Sequence, residues 1–191
     1  MLKNVPQEEL VGALKRFRNS RDLDIQKFLN EDAVTFEDRR WCSTYVMLDE
    51  EAFISRQELH VEGYFTLSNK VVRLQDEVSN NQRKKLNGGM AKTGSFIHAI
   101  LIGQLGKYID EEGKTISCLS ANQLLDEAFE LIGEVNERIA TRVVILECRR
   151  SLETDTKEMV EKRQNLHRLY RDYGFKVLQE RKDLTQYFKI I

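Results

Sequence analysis

The chain has 191 residues, of which 41% are hydrophobic and 32% are charged, and this composition excludes a disordered or fibrous protein. The formal net charge is -1, and basic and acidic residues are balanced in both halves, so the charge pattern of a dedicated nucleic-acid-binding module is missing. No apolar run approaches the roughly 20 residues that span a membrane, and the first ten residues do not form a signal peptide. These features predict one domain that works in the cytoplasm and away from membranes.

The cysteines and histidines show no pattern of a metal or disulfide site. Cys42, Cys118 and Cys148 are odd in number, and none belongs to a CxxC pair, so we expect reduced thiols. The three histidines are isolated and have no paired-ligand spacing, and no metal site is predicted.

The first half of the chain predicts two helices and then a strand pair. Apolar residues recur at helical spacing over residues 7–18, and Asp22 or Asp24 could cap a second helix that carries Ile25, Phe28, Leu29 and Phe36. Two β-rich runs follow, at 43–48 and at 59–67 with an extension towards Val72, joined by an acidic, solvated turn. The basic triplet 83–85 predicts a solvated loop or a short helix, with a partner-contacting patch as the alternative.

The second half alternates strands and helices. Residues 96–105 are nearly all apolar, which predicts a central strand buried on both faces, and 143–146 predicts another buried strand. A long amphipathic helix is predicted over 121–139, and a second over 160–173 that ends at Gly174. A terminal pair of strands is predicted at 175–178 and 187–191. The whole chain, 1–191, is then one mixed α/β layer fold, with residues 1–20 as a helical extension.

Three segments carry a resemblance to a known family. Residues 169–175, LYRDYGF, are similar to the segment that ends the last helix of the GNAT superfamily of N-acetyltransferases. Residues 61–67, VEGYFTL, resemble the third strand of that family, and the unit from 96 to 148 resembles its acyl-CoA-binding core. The resemblance covers 20–191 and implies a GNAT-like α/β fold: a mixed, mostly antiparallel central sheet flanked by helices.

The resemblance also implies a reaction, which is direct transfer of an acyl group from acetyl-CoA to a primary amine. Tyr170 matches the family tyrosine that protonates the leaving CoA thiolate, although a core tyrosine on an apolar helix face would look the same. Glu147 ends an apolar strand and is our predicted general base. An ion pair of Glu147 with Arg149 or Arg150 is the alternative.

The residues expected to hold acetyl-CoA lie along one strand and before one helix. The resemblance places the thioester on the main chain of 102–105 and the pyrophosphate at the N-terminus of the helix that begins near 121. The predicted set is Ile102, Gly103, Gln104, Leu105, Lys114, Ser117, Ser120 and Ala121. The family pattern there is Gln/Arg-x-x-Gly-x-Gly/Ala, and Ile116 and Leu119 depart from it, so an ordinary capped helix that binds no nucleotide stays open.

The sequence is compatible with three functions. The first is an acyl-CoA-dependent N-acyltransferase whose acceptor is a small molecule, a protein or an aminoacyl-tRNA. The second is a non-catalytic binding or regulatory protein that keeps the fold. The third follows from the layout of 83–86 (RKKL) and 96–107 (FIHAILIGQLGK), which is similar to toxin-type acetyltransferases that act on aminoacyl-tRNA. The terminal strands could pair across a homodimer, and the polar segment 150–161 is best interpreted as a helix extension rather than a lid or a partner surface.

Overall fold

A computed structural model of the chain describes residues 7–56, 58–89, 95–115 and 119–191. Six strands form one sheet in the order β1-β2-β3-β4-β6-β5. The described pairing of β3 with β4 is parallel, and those of β1 with β2, β4 with β6 and β5 with β6 are antiparallel. The predicted mixed, mostly antiparallel sheet is therefore confirmed. The strands are β1 (Ser43–Leu48), β2 (Val61–Arg73), β3 (Phe96–Lys107), β4 (Val143–Arg149), β5 (Lys176–Glu180) and β6 (Leu184–Ile190).

The described helices follow the predicted chain order. Two short helices are added to it, one between β1 and β2 and one between β2 and β3. Asp22 caps the second helix, as expected, by accepting a hydrogen bond from the Ile25 amide. The acidic turn after β1 is a correction: it forms a short helix, because the Asp49 side chain accepts from the Ala52 amide at 2.9 Å. The helices are α1 (Gln7–Arg16), α2 (Leu23–Lys27), a π-helical turn (Phe28–Asp32), α3 (Ala33–Asp38), α4 (Glu50–Arg56), α5 (Asn80–Leu86), α6 (Ala121–Asn136) and α7 (Lys157–Asp172).

The chain packs as two compact units, of which the first comprises residues 1–68 and 104–129. Its core joins α1 and the α2–α3 segment to β2 through aromatic contacts. The rings of Phe17 and Tyr64 meet edge to face with centroids 5.5 Å apart, and the Tyr64 hydroxyl donates to the Ile25 carbonyl at 2.7 Å. Tyr64 is fully buried, and burial raises the pKa of its phenol well above the ordinary value.

The second unit comprises residues 69–103 and 130–191. Its core includes Ile97 and Ala99 of β3 and Val143 and Ile145 of β4. The prediction that β3 is buried on both faces is wrong at its start, because burial there alternates and leaves Phe96 55% exposed.

The basic triplet 83–85 lies in the short helix α5 rather than in a loop, and it is not fully solvated. Arg83 is buried, and its guanidinium donates to the carbonyls of Val78 and Gln75. The Arg83 guanidinium therefore stabilises the turn that precedes α5.

The predicted bounds of the two long helices need correction. α6 ends at Asn136, whose side chain accepts from the Thr141 amide at 2.6 Å, and Ile139 is 69% exposed beyond it. α7 begins at Lys157 because the Thr156 side chain caps it. The predicted helix extension is thus correct from 157 onwards, whereas residues 150–156 form a non-helical segment before the cap.

Candidate active site

Tyr170 lies near the end of α7 and is 5% exposed. Its ring packs against Tyr187 of β6 and against Phe175, with centroid distances of 5.8 and 6.3 Å. Burial raises the pKa of this phenol well above its ordinary value, and nearby Cys148 and Tyr187 add to the effect. The hydroxyl has no hydrogen-bond partner among the described residues. Tyr170 is therefore a protonated donor whose hydroxyl proton has no acceptor in the described part of the chain.

The segment 169–175 positions this tyrosine through the end of its helix. Gly174 adopts a φ of +97°, a left-handed conformation that few residues other than glycine accept, and the Phe175 amide then donates back to the Tyr170 carbonyl at 3.0 Å. Phe175 is 3% exposed, so the chain reversal buries its ring against the tyrosine. The glycine and phenylalanine of the LYRDYGF segment thus form the chain reversal that holds Tyr170 in position.

Glu147 is the second predicted catalytic residue, and its partners differ from those expected. Its Oε1 accepts from Lys70 Nζ and from Gln186 Nε2, both at 2.6 Å. Arg150 instead pairs with Glu180 at 3.2 Å, and the carboxylate of Glu147 pairs with Lys70. The side chains of Lys70 and Glu147 are 31% and 24% exposed, which leaves the pair within reach of a ligand.

Tyr170 and Glu147 lie on opposite faces of β4. Leu146 is in register with Tyr187, whose side chain contacts Tyr170. Glu147 is the next residue along the strand, and successive side chains of a strand point to opposite faces. The two predicted catalytic residues are therefore on opposite faces of the sheet, and a substrate that meets both groups has to lie beyond Leu146, where the described pairing of β3 with β4 ends.

The strand segment predicted to hold the thioester begins where the described pairing of β3 with β4 ends. Ile102 is in register with Leu146 at the last described pair, and it is 1% exposed. Gly103 and Glu147 each follow that pair directly. Gln104, which follows Gly103 in β3, donates its amide hydrogen to the hydroxyl of Thr66 in β2 at 2.9 Å. A side-chain acceptor for a strand amide is typical of a local irregularity in the ladder. Leu105, the last residue predicted for this segment, is half-buried in β3.

Ser120 caps α6 as predicted. Its hydroxyl accepts from the Gln123 amide at 3.1 Å, and the Gln123 side chain accepts from the Ser120 amide at 2.7 Å, which is a capping box. No described residue accepts a hydrogen bond from the amides of Ala121 and Asn122. Within the described ranges, these two N–H groups at the positive end of the helix could therefore donate to an anion. Ser117, with Ile116 and Cys118, lies outside the described residues.

Leu119 explains the departure from the glycine-rich family pattern. It is 8% exposed, and a Cβ on Gly63 of β2 would lie 2.6 Å from its Cδ2 atom. The side chain thus occupies space that a glycine in the strand provides. Leu119 is a core residue here, and its carbonyl is held by Lys107 Nζ at 2.8 Å.

Lys114 lies in a tight turn and is engaged locally. The Asp110 side chain accepts from its amide at 2.8 Å, and its ammonium pairs with Glu112 at 2.6 Å, with both side chains more than 70% exposed. Lys107, which sequence analysis missed, brings a positive charge to the residue before the α6 cap. The lysine at the end of the apolar run 96–107 was the available signal.

A cavity of 610 Å³ in the second unit is lined by α7, β5 and β6. Its lining includes Arg150, Arg168 and Arg171, together with His167 and Tyr187. His167 Nδ1 lies 2.7 Å from the Tyr187 hydroxyl. Burial lowers the pKa of His167, with the Arg171 charge acting in the same direction, so the imidazole is neutral at neutral pH. Sequence analysis did not predict this cavity, because it forms between residues that are distant in the chain.

Other chemistries find less support among the described residues. Burial raises the pKa of the Cys148 thiol to about 11, so it is not a thiolate at neutral pH. The described ranges contain no group of three or more His, Cys, Asp or Glu side chains arranged to hold a metal ion. No helix in the described part of the chain is long and apolar enough to cross a membrane.

The fold is similar to that of several solved toxins. The structure of AtaT complexed with acetyl-methionyl-tRNAfMet matches with a TM-score of 0.63 and 17% identity, over 93% of this chain and 86% of that chain. AtaTR bound with acetyl-CoA matches with a TM-score of 0.60 and 18% identity, over 93% and 86% of the two chains. A tyrosine-to-phenylalanine mutant of KacT matches with a TM-score of 0.63 and 15% identity, again over 93% and 86%. No family model and no curated protein matches the sequence. The likeness shows the fold, which is the GNAT fold of the toxins AtaT and KacT.

Proposed function

We propose that the protein is an N-acyltransferase that moves an acetyl group from acetyl-CoA to an amine. The observation that carries the proposal is Tyr170, whose side chain is 5% exposed, whose hydroxyl has no partner among the described residues, and whose position is fixed by the LYRDYGF chain reversal. The presence of acetyl-CoA on AtaTR, a protein of the same fold, supports acetyl-CoA as the acyl donor.

The chain offers groups that suit this donor. The amides of Ala121 and Asn122, which have no acceptor among the described residues, would donate hydrogen bonds to phosphate oxygens, and the Lys107 ammonium near the α6 cap would add positive charge. The main chain at Gly103, where a side chain is missing, would lie along the thioester. Acetyl-CoA supplies an activated acyl group with a thiolate leaving group.

Residues of the second unit would act as the general base and the general acid of the reaction. Glu147 would take a proton from the acceptor amine, directly or through water, because its Oε2 has no described partner while Lys70 and Gln186 fix Oε1. Tyr170 would donate a proton to the leaving sulfur. A phenol of ordinary pKa about 10 is a suitable proton donor to a thiolate of similar basicity. Because burial raises the pKa of Tyr170, its hydroxyl stays protonated until the thiolate leaves.

The experiment is a binding and turnover measurement on the purified chain. Acetyl-CoA should raise the melting temperature, because a ligand that binds only the folded state stabilises it. With a panel of amines, wild type should release CoA thiol, and Tyr170→Phe should bind acetyl-CoA equally but release thiol about a hundredfold more slowly. Absence of a thermal shift at millimolar acetyl-CoA contradicts the proposal, and a shift without thiol release favours a non-catalytic binding protein.

An aminoacyl-tRNA is a second candidate acceptor. The observation that favours it is the arginine-lined cavity, whose Tyr187 contacts Tyr170. Guanidinium groups recognise phosphate bidentately, and AtaT of the same fold is complexed with acetyl-methionyl-tRNAfMet. If tRNA binds there, Arg168→Ser with Arg171→Ser should weaken tRNA binding and flatten its salt dependence, while leaving acetyl-CoA binding unchanged.

A further inference from the structure

Lys70 places a primary amine on the carboxylate that we assign as the general base. Its Nζ lies 2.6 Å from Glu147 Oε1, which is the distance expected for an acceptor amine that is about to lose a proton. The carboxylate cannot turn away freely, because Gln186 is 2% exposed and holds the same oxygen. Lys70 thus occupies the position that an external acceptor would take.

The same corner of the second unit contains the strand position predicted to align the thioester. Gly103 and Glu147 each follow the pair Ile102–Leu146, with which the described β3–β4 ladder ends. Lys70 contacts Glu147, so the amine, the base and the end of the ladder are brought together. No other lysine contacts Glu147 among the described residues.

From this juxtaposition we infer that Lys70 is itself an acyl acceptor, and that the protein acylates its own Lys70 when bound to acetyl-CoA. This inference rests on the proposed acyltransferase function. It adds a modification site and an internal substrate to that function.

The step balances without a further reagent. Glu147 takes one proton from the Lys70 ammonium, and the neutral Nζ attacks the thioester carbonyl carbon. The new C–N bond forms as the C–S bond breaks, and the thiolate takes a proton from Tyr170. The attacking nitrogen loses its second proton to water, and Glu147 later releases its proton to water as well. Tyr170 recovers a proton from water, so that the net reaction releases one proton to solvent. The products are an amide on Lys70 and free CoA thiol.

Acylation would change the site that performs it. The amide carries no charge, so Glu147 would lose its counter-ion, and the Lys70 side chain would become longer and bulkier beside it. We therefore expect the modified protein to accept external amines at a rate different from that of the unmodified protein.

Lys114 is a matched control within the same chain. It also makes a 2.6 Å pair with a carboxylate, that of Glu112, but its side chain is 74% exposed and it lies in a surface turn. Non-enzymatic acetylation would modify Lys114 at least as fast as Lys70. Self-acylation should modify Lys70 about tenfold faster or more, because only Lys70 benefits from a positioned thioester.

The experiment incubates the full chain with acetyl-CoA and follows the acetyl group at each lysine by peptide mass spectrometry. We expect Lys70 to be modified ahead of Lys114, with a rate independent of protein concentration. Tyr170→Phe should slow Lys70 and not Lys114, and Lys70→Arg should abolish the fast phase while keeping the positive charge beside Glu147. Equal rates at the two lysines, or a Lys70 rate that Tyr170→Phe leaves unchanged, would overturn the inference.

A parallel measurement separates this inference from the proposed function. If acetyl-CoA raises the melting temperature and thiol is released to an external amine while Lys70 stays unmodified, the self-acylation inference alone fails. If acetyl-CoA gives no thermal shift, the proposed function fails as well.

Discussion

The side chain of Leu119 packs into the space left by the missing side chain of Gly63. A Cβ at Gly63 would lie 2.6 Å from Leu119 Cδ2, 3.1 Å from the Gly106 carbonyl oxygen and 3.2 Å from Leu124 Cδ2. The segment before α6 therefore contributes to the core of its unit. A leucine at this position is compatible with two helix-start amides that have no acceptor among the described residues, because its side chain points into the core.

Replacement of Gly63 by alanine tests this packing. Gly63→Ala should lower the free energy of unfolding by about 1–3 kcal/mol, because backbone and core atoms surround the new methyl group. The measurement is urea denaturation followed by circular dichroism. Gly133→Ala is the control: its Cβ would meet no atom within 4 Å, and alanine in a helix should stabilise by about 0.5–1 kcal/mol. Equal effects of the two substitutions would contradict the packing of Leu119 on Gly63.

Two of the buried tyrosines, Tyr170 and Tyr64, should respond oppositely to loss of the hydroxyl. Tyr170→Phe should reduce acetyl transfer by a factor of about 10² or more with little effect on stability, since the hydroxyl has no partner in the described ranges. Tyr64→Phe should leave transfer nearly unchanged and cost about 1 kcal/mol, because its hydroxyl donates to the Ile25 carbonyl. Thiol-release rates and melting temperatures on both variants provide the test. A Tyr170→Phe protein with full activity would remove Tyr170 from the mechanism.

Glu147→Gln tests the base. The amide keeps the shape of the side chain but cannot take a proton, so transfer to amines should fall by a factor of about 10² or more. The variant should still fold and bind acetyl-CoA with unchanged affinity. Glu112→Gln, at the exposed pair with Lys114, should change neither rate nor stability. Unchanged turnover in Glu147→Gln would reassign this carboxylate to a structural ion pair with Lys70.

His167 should make stability depend on pH below neutrality. Burial lowers its pKa in the folded state, so the unfolded chain binds more protons near the ordinary pKa of about 6.5. Stability should therefore be constant above that pH and fall as the pH drops through and below it. Urea midpoints at several pH values measure the effect, and His167→Asn should reduce the slope. His98→Asn, at an exposed position of β3, is the control and should keep the wild-type slope.

Local patterns in the sequence were sufficient to predict much of the fold. The apolar stripes predicted α1, α6 and α7, and the glycine after Tyr173 predicted the left-handed chain reversal that the structure contains. Helix ends were less accurate, because side-chain hydrogen bonds decide them: Asn136 ends α6 and Thr156 begins α7. The Asp49 cap, which converts a predicted turn into α4, is of the same kind.

The candidate site was less predictable, because its contacts join residues that are far apart in the chain. Lys70 and Gln186 meet Glu147 from β2 and β6, and no local pattern indicates such a meeting. The opposite orientations of Tyr170 and Glu147 depend on strand register, which the sequence does not reveal. Leu119 could be interpreted only after the strand glycine beside it was located.

The most direct test of acyl transfer compares wild type with Tyr170→Phe for both acetyl-CoA binding and CoA thiol release. The amine panel contains a polyamine, a lysine peptide and an aminoacyl-tRNA. We predict equal acetyl-CoA affinity, with thiol release to at least one amine that falls about a hundredfold in the variant. Failure of the wild-type protein to bind acetyl-CoA at millimolar concentration, or equal thiol release by the two proteins, would contradict the account.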